Sequence, residues 1–229
     1  MLLDFLYPKP KVCPLCLKPM PKREFCQPCR EFLNKARPVC QVCGRFLPTD
    51  YGICSDCRKK NFSFIKASGL LPYTGPVRQT MVFFKYKNKR YVWDELYDLL
   101  AWHCREKLGT KFDFVVPVPL HPRKFKERGY NQAEILAKNL AHRLQLPVKS
   151  NFLVKVRETP AQVQLGFKQR RKNLRESFYV TGRVTGREKV LLVDDVFTTG
   201  ATAEECTHSL LLAGIAEVYV LTMATAVKK

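Results

Sequence analysis

The sequence predicts an α/β protein in which a mostly parallel central sheet is flanked by helices and preceded by a small cysteine-rich module. Three observations support this prediction. Residues 190–193 form an apolar run that is too short for a helix and is followed at once by two aspartates, as expected of a buried parallel strand. From about residue 63 onward, short apolar runs alternate with segments of helical periodicity. Eight of the ten cysteines lie within residues 1–60.

The cysteine-rich module contains an internal repeat of four Cys-x-x-Cys pairs, because the first two pairs align on the last two with offsets of 27 and 28 residues. Each half is typical of a zinc ribbon, in which two turns supply four thiolates to a tetrahedral metal site. Sixty residues with few aliphatic side chains bury too little core, so bound zinc would supply the folding free energy. The predicted ligands of two structural zinc ions are Cys13, Cys16, Cys26, Cys29, Cys40, Cys43, Cys54 and Cys57.

A disulfide framework is the alternative interpretation of these cysteines, but it requires an oxidising compartment. Residues 1–10 include Asp4 and lack the basic and apolar regions of a secretion signal, so we expect a cytoplasmic protein. The four ligands of each ribbon are expected to be consecutive cysteines, with an interleaved arrangement as the alternative. Cys206 shares a helical stripe with Leu210 and Ala213 and is predicted to be a buried packing residue.

Strands and helices are predicted in alternation between residues 63 and 189. The strand at 112–118 is apolar throughout, which favours a central position in the sheet, and it leads into a basic loop at 124–128. The other predicted elements are a strand at 70–73, helices at 75–86 and 91–107, and a helix that Asn131 caps and that ends before Pro147.

Residues 190–202 combine the buried strand with two carboxylates and a hydroxyl-rich turn around Gly200 that opens a helix. Parallel sheets bind ligands at this carboxyl edge. Asp194 and Asp195 can accept hydrogen bonds from a vicinal diol, while backbone N–H groups and threonine hydroxyls can hold a phosphate at the helix start. The residue types therefore indicate a ribose 5-phosphate site.

The same segment resembles the 13-residue motif of type I phosphoribosyltransferases, whose ligand is phosphoribosyl pyrophosphate (PRPP). Phe197 is the one departure, since the family prefers a smaller aliphatic residue there. The resemblance implies a type I phosphoribosyltransferase fold for the part of the chain that follows the small N-terminal double zinc-ribbon module, with Mg²⁺ bound with PRPP and catalytic roles for Asp194 and Asp195 in an active enzyme. It assigns PRPP binding to Asp194, Asp195, Thr198, Thr199, Gly200, Ala201 and Thr202.

Two other interpretations of this segment are the magnesium-holding strand of a P-loop ATPase and a buried strand ended by a solvated turn. The first requires a partner motif G-x-x-x-x-G-K-[ST], which this sequence lacks. The second stays as the alternative to a phosphoribosyl site.

Residues 155–178 contain few large apolar side chains and a basic run at 168–175. A loop of this length is usually functional or disordered. In a PRPP site we expect it to close over the pyrophosphate, because arginine pairs bidentately with phosphate oxygens. The predicted pyrophosphate-loop residues are Pro117, Arg123, Arg170 and Arg171.

The formal net charge is +20, and the excess of lysine and arginine lies in residues 1–189. Two four-thiolate zinc sites would contribute about −2 each, which leaves more positive charge than one PRPP can balance. The excess favours a polyanionic partner, with a merely basic, soluble protein as the alternative. We expect single-stranded DNA to stack on exposed aromatic residues such as Phe46 or Tyr51, with phosphate contacts from Lys168, Arg170, Arg171, Lys172 and Arg175.

The chain length accommodates two domains, which we place at 1–60 and 61–229. The longest apolar stretch, 210–227, contains Glu217 and is divided by Gly214 into a helix end and a strand, so no membrane span is predicted. We expect the zinc ions to be structural, so that loss of one zinc loosens its ribbon but leaves PRPP binding by the second domain largely intact.

Three further segments are distinctive: Val-Pro-Val-Pro-Leu-His-Pro-Arg at 116–123, Glu-Arg-Gly-Tyr-Asn-Gln-Ala at 127–133, and Thr-Pro-x-Gln at 159–162 followed by Arg-Arg-x-Asn at 170–173. Together with the paired ribbons and the PRPP motif, they resemble the ComF family of natural competence proteins over nearly the whole chain. The resemblance implies a cytoplasmic accessory factor that helps single-stranded DNA enter the cell, at the inner face of the membrane beside a DNA channel and a helicase-like ATPase.

Two functional hypotheses follow. The protein is either a PRPP-binding and single-stranded-DNA-binding accessory factor for DNA uptake, or an active phosphoribosyltransferase that transfers ribose 5-phosphate to a base or another acceptor. The sequence supplies residues for the PRPP half of that reaction but none recognisable for the acceptor half, which favours the binding role.

Overall fold

The computed structural model describes residues 11–22, 24–35, 37–49, 52–86, 93–156 and 177–228. The helices within this part are α1 (Gln27–Asn34), α2 (Ser55–Lys59), α3 (Gly75–Tyr86), α4 (Asp94–Leu108), α5 (Pro122–Arg128), α6 (Gln132–Leu144) and α7 (Ala201–Leu212). Its strands are β1 (Lys66–Pro72), β2 (Phe114–Pro117), β3 (Leu153–Lys155), β4 (Phe178–Val180), β5 (Lys189–Phe197) and β6 (Glu217–Thr225).

Four of these strands form one parallel sheet in the order β1-β6-β5-β2. β5 and β6 occupy the centre, where Val190 pairs with Val218 and Val193 with Leu221. Residues 190–193 are completely buried, which explains their continuous apolar character. The predicted α/β class with a parallel central sheet is confirmed.

Helices cover both faces of this sheet. Leu191 and Val193 face a core shared with α4 and α6, whereas Val190 and Leu192 face a core shared with α7. The alternation arises because successive side chains of a strand point to opposite faces. In the described part of the chain, no helix is both long and apolar enough to cross a membrane.

The prediction that the strand at 112–118 is central is wrong, because β2 is the last regular strand of the ladder. Its outer edge is nevertheless covered. Val115 N–H donates to the Pro147 carbonyl, and Lys149 N–H donates to the Val115 carbonyl, both at 2.9 Å. This parallel bridge explains why an outer strand is apolar throughout, since little of its edge faces water.

The basic loop predicted at 124–128 is also wrong, because these residues belong to α5. His121 Nδ1 accepts a hydrogen bond from Arg123 N–H at 3.3 Å, and Pro122 occupies a position at the helix start that suits its fixed φ. Gly129 ends the helix in the left-handed conformation, with φ 75°. Lysine and arginine are good helix formers, so the charged run is compatible with a helix although none of its residues is buried.

The remaining predicted elements of this region are present. The helix at 75–86 is confirmed as α3, and Asn131 caps α6 by accepting a hydrogen bond from Ala133 N–H at 3.1 Å. α4 begins at Asp94 with Trp93 as its N-cap, and residues 91 and 92 of the predicted helix lie outside the described part. β1 is longer than predicted because its pairing with β6 already begins at Lys66.

Candidate functional site

β5 extends beyond the predicted strand and carries both aspartates. Its pairing with β6 continues from Asp194 opposite Thr222 to Phe197 opposite Thr225. Asp194 and Asp195 are half-buried, and Asp195 N–H donates to Asp194 Oδ1 at 2.8 Å. Both carboxylates therefore lie near the carboxyl edge of the sheet, where parallel sheets bind ligands.

The turn between β5 and α7 is built around Gly200. Its φ of +83° lies in the left-handed region that favours glycine, and a Cβ at this position would lie 2.6 Å from the Phe197 ring. Thr198 and Thr199 are exposed in the turn, and Thr202 is exposed in the first turn of α7. Exposed hydroxyls and the first N–H groups of a twelve-residue helix are suitable donors for a phosphate.

A cavity of about 570 Å³ lies beside this turn. It is lined by four of the predicted PRPP-binding residues: Asp194, Asp195, Thr198 and Thr202. The cavity thus combines acceptors for a diol with cations for phosphate groups. The other lining residues are Tyr73, Val118, Pro119, Leu120, His121, Lys124, Arg128, Asn131, Gln132, Ala133, Lys155 and Val196. Thr199, Gly200 and Ala201 are not among them.

The predicted pyrophosphate-loop residues are only partly brought to this cavity. Pro117 is buried at the end of β2, directly before two lining residues. Arg123 is exposed on α5 and forms an ion pair with Glu127 at 3.4 Å instead of lining the cavity. The predicted pyrophosphate and nucleic-acid contacts of the basic segment lie outside the described residues: Lys168, Arg170, Arg171, Lys172 and Arg175.

Lys155 is a cavity residue that the sequence analysis did not identify. It is half-buried at the end of β3, its Nζ lies 5.1 Å from the centroid of the Phe178 ring, and burial lowers its pKa. Burial raises the pKa of nearby Glu205 to about 7, against the opposing influence of the Lys155 ammonium. A single lysine within the apolar run 152–156 was the available signal.

The short antiparallel hairpin of β3 and β4 brings Lys155 to the cavity. Beyond the hairpin, Val156 N–H donates to the Ser177 carbonyl at 2.9 Å. Residues 156 and 177, which flank the part of the chain that the structure does not describe, are therefore hydrogen-bonded to each other. Cys206, which follows Glu205, is completely buried, as predicted for a packing residue.

The eight module cysteines gather into two groups of four consecutive ligands, as predicted. Zinc ribbon 1 contains Cys13, Cys16, Cys26 and Cys29, and zinc ribbon 2 contains Cys40, Cys43, Cys54 and Cys57. Within each group all sulfur atoms lie within 4.8 Å of one another, which fits tetrahedral zinc. This grouping argues against the interleaved and the disulfide alternatives.

The two ribbons repeat the same local geometry. Leu17 N–H donates to the Cys13 carbonyl and Gly44 N–H to the Cys40 carbonyl, both at 2.9 Å. The thiol sulfurs also accept equivalent backbone hydrogen bonds: Cys26 N–H lies 3.4 Å from Cys13 Sγ, and Cys54 N–H lies 3.3 Å from Cys40 Sγ. Such N–H donors stabilise thiolates and thus suit a metal site.

Zinc ribbon 2 differs by a buried cation. Arg45 is 3% exposed and places its guanidinium 3.2 Å from Cys43 Sγ and 3.4 Å from Cys54 Sγ. It also pairs with Asp56 at 2.8 Å, and Lys228 pairs with the same carboxylate at 2.6 Å. Lys228 and Arg45 lower the pKa of Asp56 to about 2. The equivalent residue of ribbon 1, Lys18, is exposed.

The stacking role predicted for Phe46 is wrong, because this residue is 7% exposed and pairs with Val227. Tyr51 lies outside the described residues. Exposed aromatic side chains in the described part include Trp102 on α4, Phe125 on α5 and Tyr179 on β4. Phe125 is next to Lys124, which lines the cavity.

Comparison with known proteins gives matches for both parts of the chain. The family model "Double zinc ribbon domain" matches residues 2–61. "Competence protein F" of Haemophilus influenzae is 32% identical over 179 residues, covering 76% of this chain and 78% of that protein. "DNA utilization protein YhgH" of Escherichia coli is 29% identical over 217 residues, covering 92% and 95%.

A solved structure of the glutamine PRPP amidotransferase from Bacillus subtilis also matches. It is 18% identical with a TM-score of 0.43, and the match covers 62% of this chain and 30% of that one.

Proposed function

Because the chain belongs to the ComF family of competence proteins, we propose that it acts in DNA uptake as a PRPP-binding and single-stranded-DNA-binding accessory protein. The competence and DNA-utilization names of its relatives support a role in handling DNA. In this proposal the protein works in the cytoplasm at the inner face of the membrane, beside a helicase-like ATPase and a DNA channel. Residues 1–60 and 61–229 are its two domains.

The cavity beside Gly200 is the observation that carries PRPP binding. Asp194 and Asp195 would accept hydrogen bonds from the ribose diol, and the start of α7 would bind the 5-phosphate. Lys124, Arg128 and Lys155 line the same cavity and would offset the pyrophosphate charge together with Mg²⁺.

Titration calorimetry with PRPP and with ribose 5-phosphate, each with and without Mg²⁺, tests this part of the proposal. We expect both ligands to saturate one site per chain. We also expect Mg²⁺ to tighten PRPP binding more than ribose 5-phosphate binding, since only PRPP carries a pyrophosphate. A wild-type protein that binds neither ligand contradicts the assignment.

α5 supports the nucleic-acid part of the proposal. The helix has no buried residue, forms part of the cavity rim through Lys124 and Arg128, and carries the exposed ring of Phe125. Cations interleaved with an exposed aromatic ring suit a single strand, whose phosphates need charge and whose bases stack.

Fluorescence anisotropy with a labelled oligonucleotide tests this part. The affinity should show little sequence preference, and log affinity should fall against log salt with a slope of about −0.7 for each neutralised phosphate. A protein that fails to bind single strands even at low salt contradicts a DNA-binding role.

The paired carboxylates also favour a second candidate function, phosphoribosyl transfer. Negative groups beside the anomeric carbon would stabilise an oxocarbenium-like state while pyrophosphate leaves. Pyrophosphate release from PRPP, measured with and without nucleobases and single-stranded DNA, distinguishes the two. Release that an acceptor accelerates supports the transferase, whereas binding without release supports the accessory role.

A further inference from the structure

The segment that joins zinc ribbon 2 to β1 contacts the turn of the candidate phosphate site. We propose that Phe62 and Ser63 are positioning residues for this turn, residues 198–200, so that the metal site of zinc ribbon 2 controls the turn's geometry. The consequence for ligand affinity rests on the proposed function, and it departs from the expectation from the sequence that loss of a zinc ion leaves PRPP binding largely intact. The consequence for the turn itself does not.

Ser63 fixes the first turn of α7. Its backbone N–H donates to Glu204 Oε2 at 2.8 Å, and its hydroxyl donates to Glu204 Oε1 at 2.7 Å. Both oxygens of one carboxylate are thus held by one residue that lies 141 positions away in the chain. The helix start that would bind a phosphate is therefore tied to the linker.

Phe62 supports the turn at Gly200. Its ring stacks on Phe64 with centroids 4.7 Å apart, and both rings meet Phe197 edge-on, at 6.5 and 6.1 Å. A Cβ on Gly200 would lie 3.0 Å from the Phe62 ring. The backbone of the turn therefore rests directly on the aromatic cluster formed by Phe62, Phe64 and Phe197.

The aromatic cluster also accounts for the departure of this sequence from the phosphoribosyltransferase motif. A smaller aliphatic residue at position 197 could not meet Phe62 and Phe64 edge-on. Phe197 instead belongs to the same buried group as the four thiols of zinc ribbon 2. The unusual residue is therefore where the motif contacts the linker between the cysteine-rich module and β1.

Two backbone hydrogen bonds attach zinc ribbon 2 to β1 and to the segment that follows β6. Ala67 N–H donates to the Val42 carbonyl at 2.8 Å, and Lys228 N–H donates to the Phe46 carbonyl at 2.9 Å. Zinc ribbon 1 instead packs on α3, where Thr80 donates to the Leu15 carbonyl. Since a ribbon needs its metal to fold, loss of zinc from ribbon 2 would release the linker, whereas loss from ribbon 1 would not.

Hydrogen exchange measured by mass spectrometry tests the positioning role without any ligand. Cys43→Ser removes one ligand of ribbon 2, and Cys16→Ser is the matched change in ribbon 1. We expect each variant to lose one zinc by elemental analysis. Amides of 198–204 should exchange about tenfold faster in Cys43→Ser only, with 190–193 unchanged in both. Equal exchange of 198–204 in the two variants overturns the proposal.

Phe62→Ala tests the contact while all eight thiols remain. It should accelerate exchange at 198–204 and weaken PRPP binding about tenfold, with zinc content and exchange at 190–193 unchanged. Phe62→Tyr keeps the ring and should show wild-type exchange at 198–204 and wild-type PRPP affinity. Ile65→Ala changes a nearby side chain that is 55% exposed, and it should alter neither the exchange nor the affinity. Wild-type exchange and affinity in Phe62→Ala contradict the positioning role. If the wild-type protein binds no PRPP, the proposed function fails and exchange alone decides this inference.

Discussion

Asp194 and Asp195 show how far single residues could be assigned from sequence. Strand, carboxylates and turn are adjacent in the chain, so their arrangement is local and follows from the motif. Lys155 reaches the same cavity through the hairpin of β3 and β4, and no local pattern encodes that contact. The prediction that Phe46 is exposed is wrong because its burial depends on Val227, about 180 residues away in the chain.

Asp195→Asn should weaken PRPP binding about 10-fold to 100-fold, because a charge-assisted hydrogen bond contributes about 1.5–3 kcal/mol. The unfolding midpoint should stay near the wild-type value, since the side chain is only half-buried. Calorimetry with PRPP and Mg²⁺ measures the change in affinity. Glu106→Gln, which removes one negative charge from an exposed position on α4, serves as the control. Equal affinities of Asp195→Asn and wild type would remove Asp195 from the site.

Glu205 should make stability depend on pH. Burial raises its pKa from 4.5 to about 7, so the folded state holds the proton more tightly than the unfolded chain. Its contribution to the free energy of unfolding is complete below about pH 4.5 and is lost as the pH rises through about 7. Glu205→Gln cannot ionise, so its stability relative to wild type should rise between about pH 4.5 and 7, the range set by the two pKa values.

Urea unfolding of Glu205→Gln and wild type across this pH range measures that difference. For Glu106→Gln, the difference from wild type in the free energy of unfolding should not change with pH, because the carboxylate of Glu106 is exposed. A flat difference for Glu205→Gln as well would contradict the raised pKa.

At the level of elements, the pattern of apolar residues correctly predicts the central strand and the helices. The pattern of charged residues gives a wrong prediction at α5. The run at 124–128 is rich in lysine and arginine and therefore predicts a loop, but a histidine cap and a proline before it and a glycine after it define α5. The position of β2 was wrong for another reason. Burial of its edge by residues 147–149 makes an outer strand look central in sequence.

α5 provides the test of base stacking. Phe125→Ala should weaken single-stranded DNA binding about 5-fold to 150-fold, because stacking of one base contributes about 1–3 kcal/mol. Trp102→Ala removes a similarly exposed ring, 58% against 46%, from α4 and should have no effect. Anisotropy at constant salt measures both variants, and equal losses would show that Phe125 is not a specific stacking site.

At the scale of the whole molecule, two copies of one metal-site geometry occupy different environments. In zinc ribbon 2 the buried guanidinium of Arg45 contacts two thiol sulfurs and also pairs with Asp56, which in turn pairs with Lys228. In zinc ribbon 1, Cys16 is half-exposed and Arg30 pairs with Glu24 at the surface. Charge compensation at the sulfurs lowers their reactivity toward electrophiles.

Zinc should therefore leave the two ribbons at different rates. Elemental analysis should give two zinc ions per chain, and a thiol-modifying reagent should release them in two phases, ribbon 1 first. Arg45→Met should accelerate the slow phase, while Arg30→Met should leave both phases unchanged. A chromogenic zinc indicator follows the release, and a single phase in the wild type would contradict the difference between the ribbons.

The strand order also has a consequence for biosynthesis. β1 pairs only with β6 among the described strands, and about 150 residues separate the two in the chain. At usual translation rates, β1 emerges from the ribosome roughly 10–30 s before its partner exists. Val227 and Lys228, which pair with zinc ribbon 2, are made later still. During that interval the nascent chain exposes an unpaired apolar strand, and zinc-dependent folding of the ribbons is the stabilisation available to its N-terminal part.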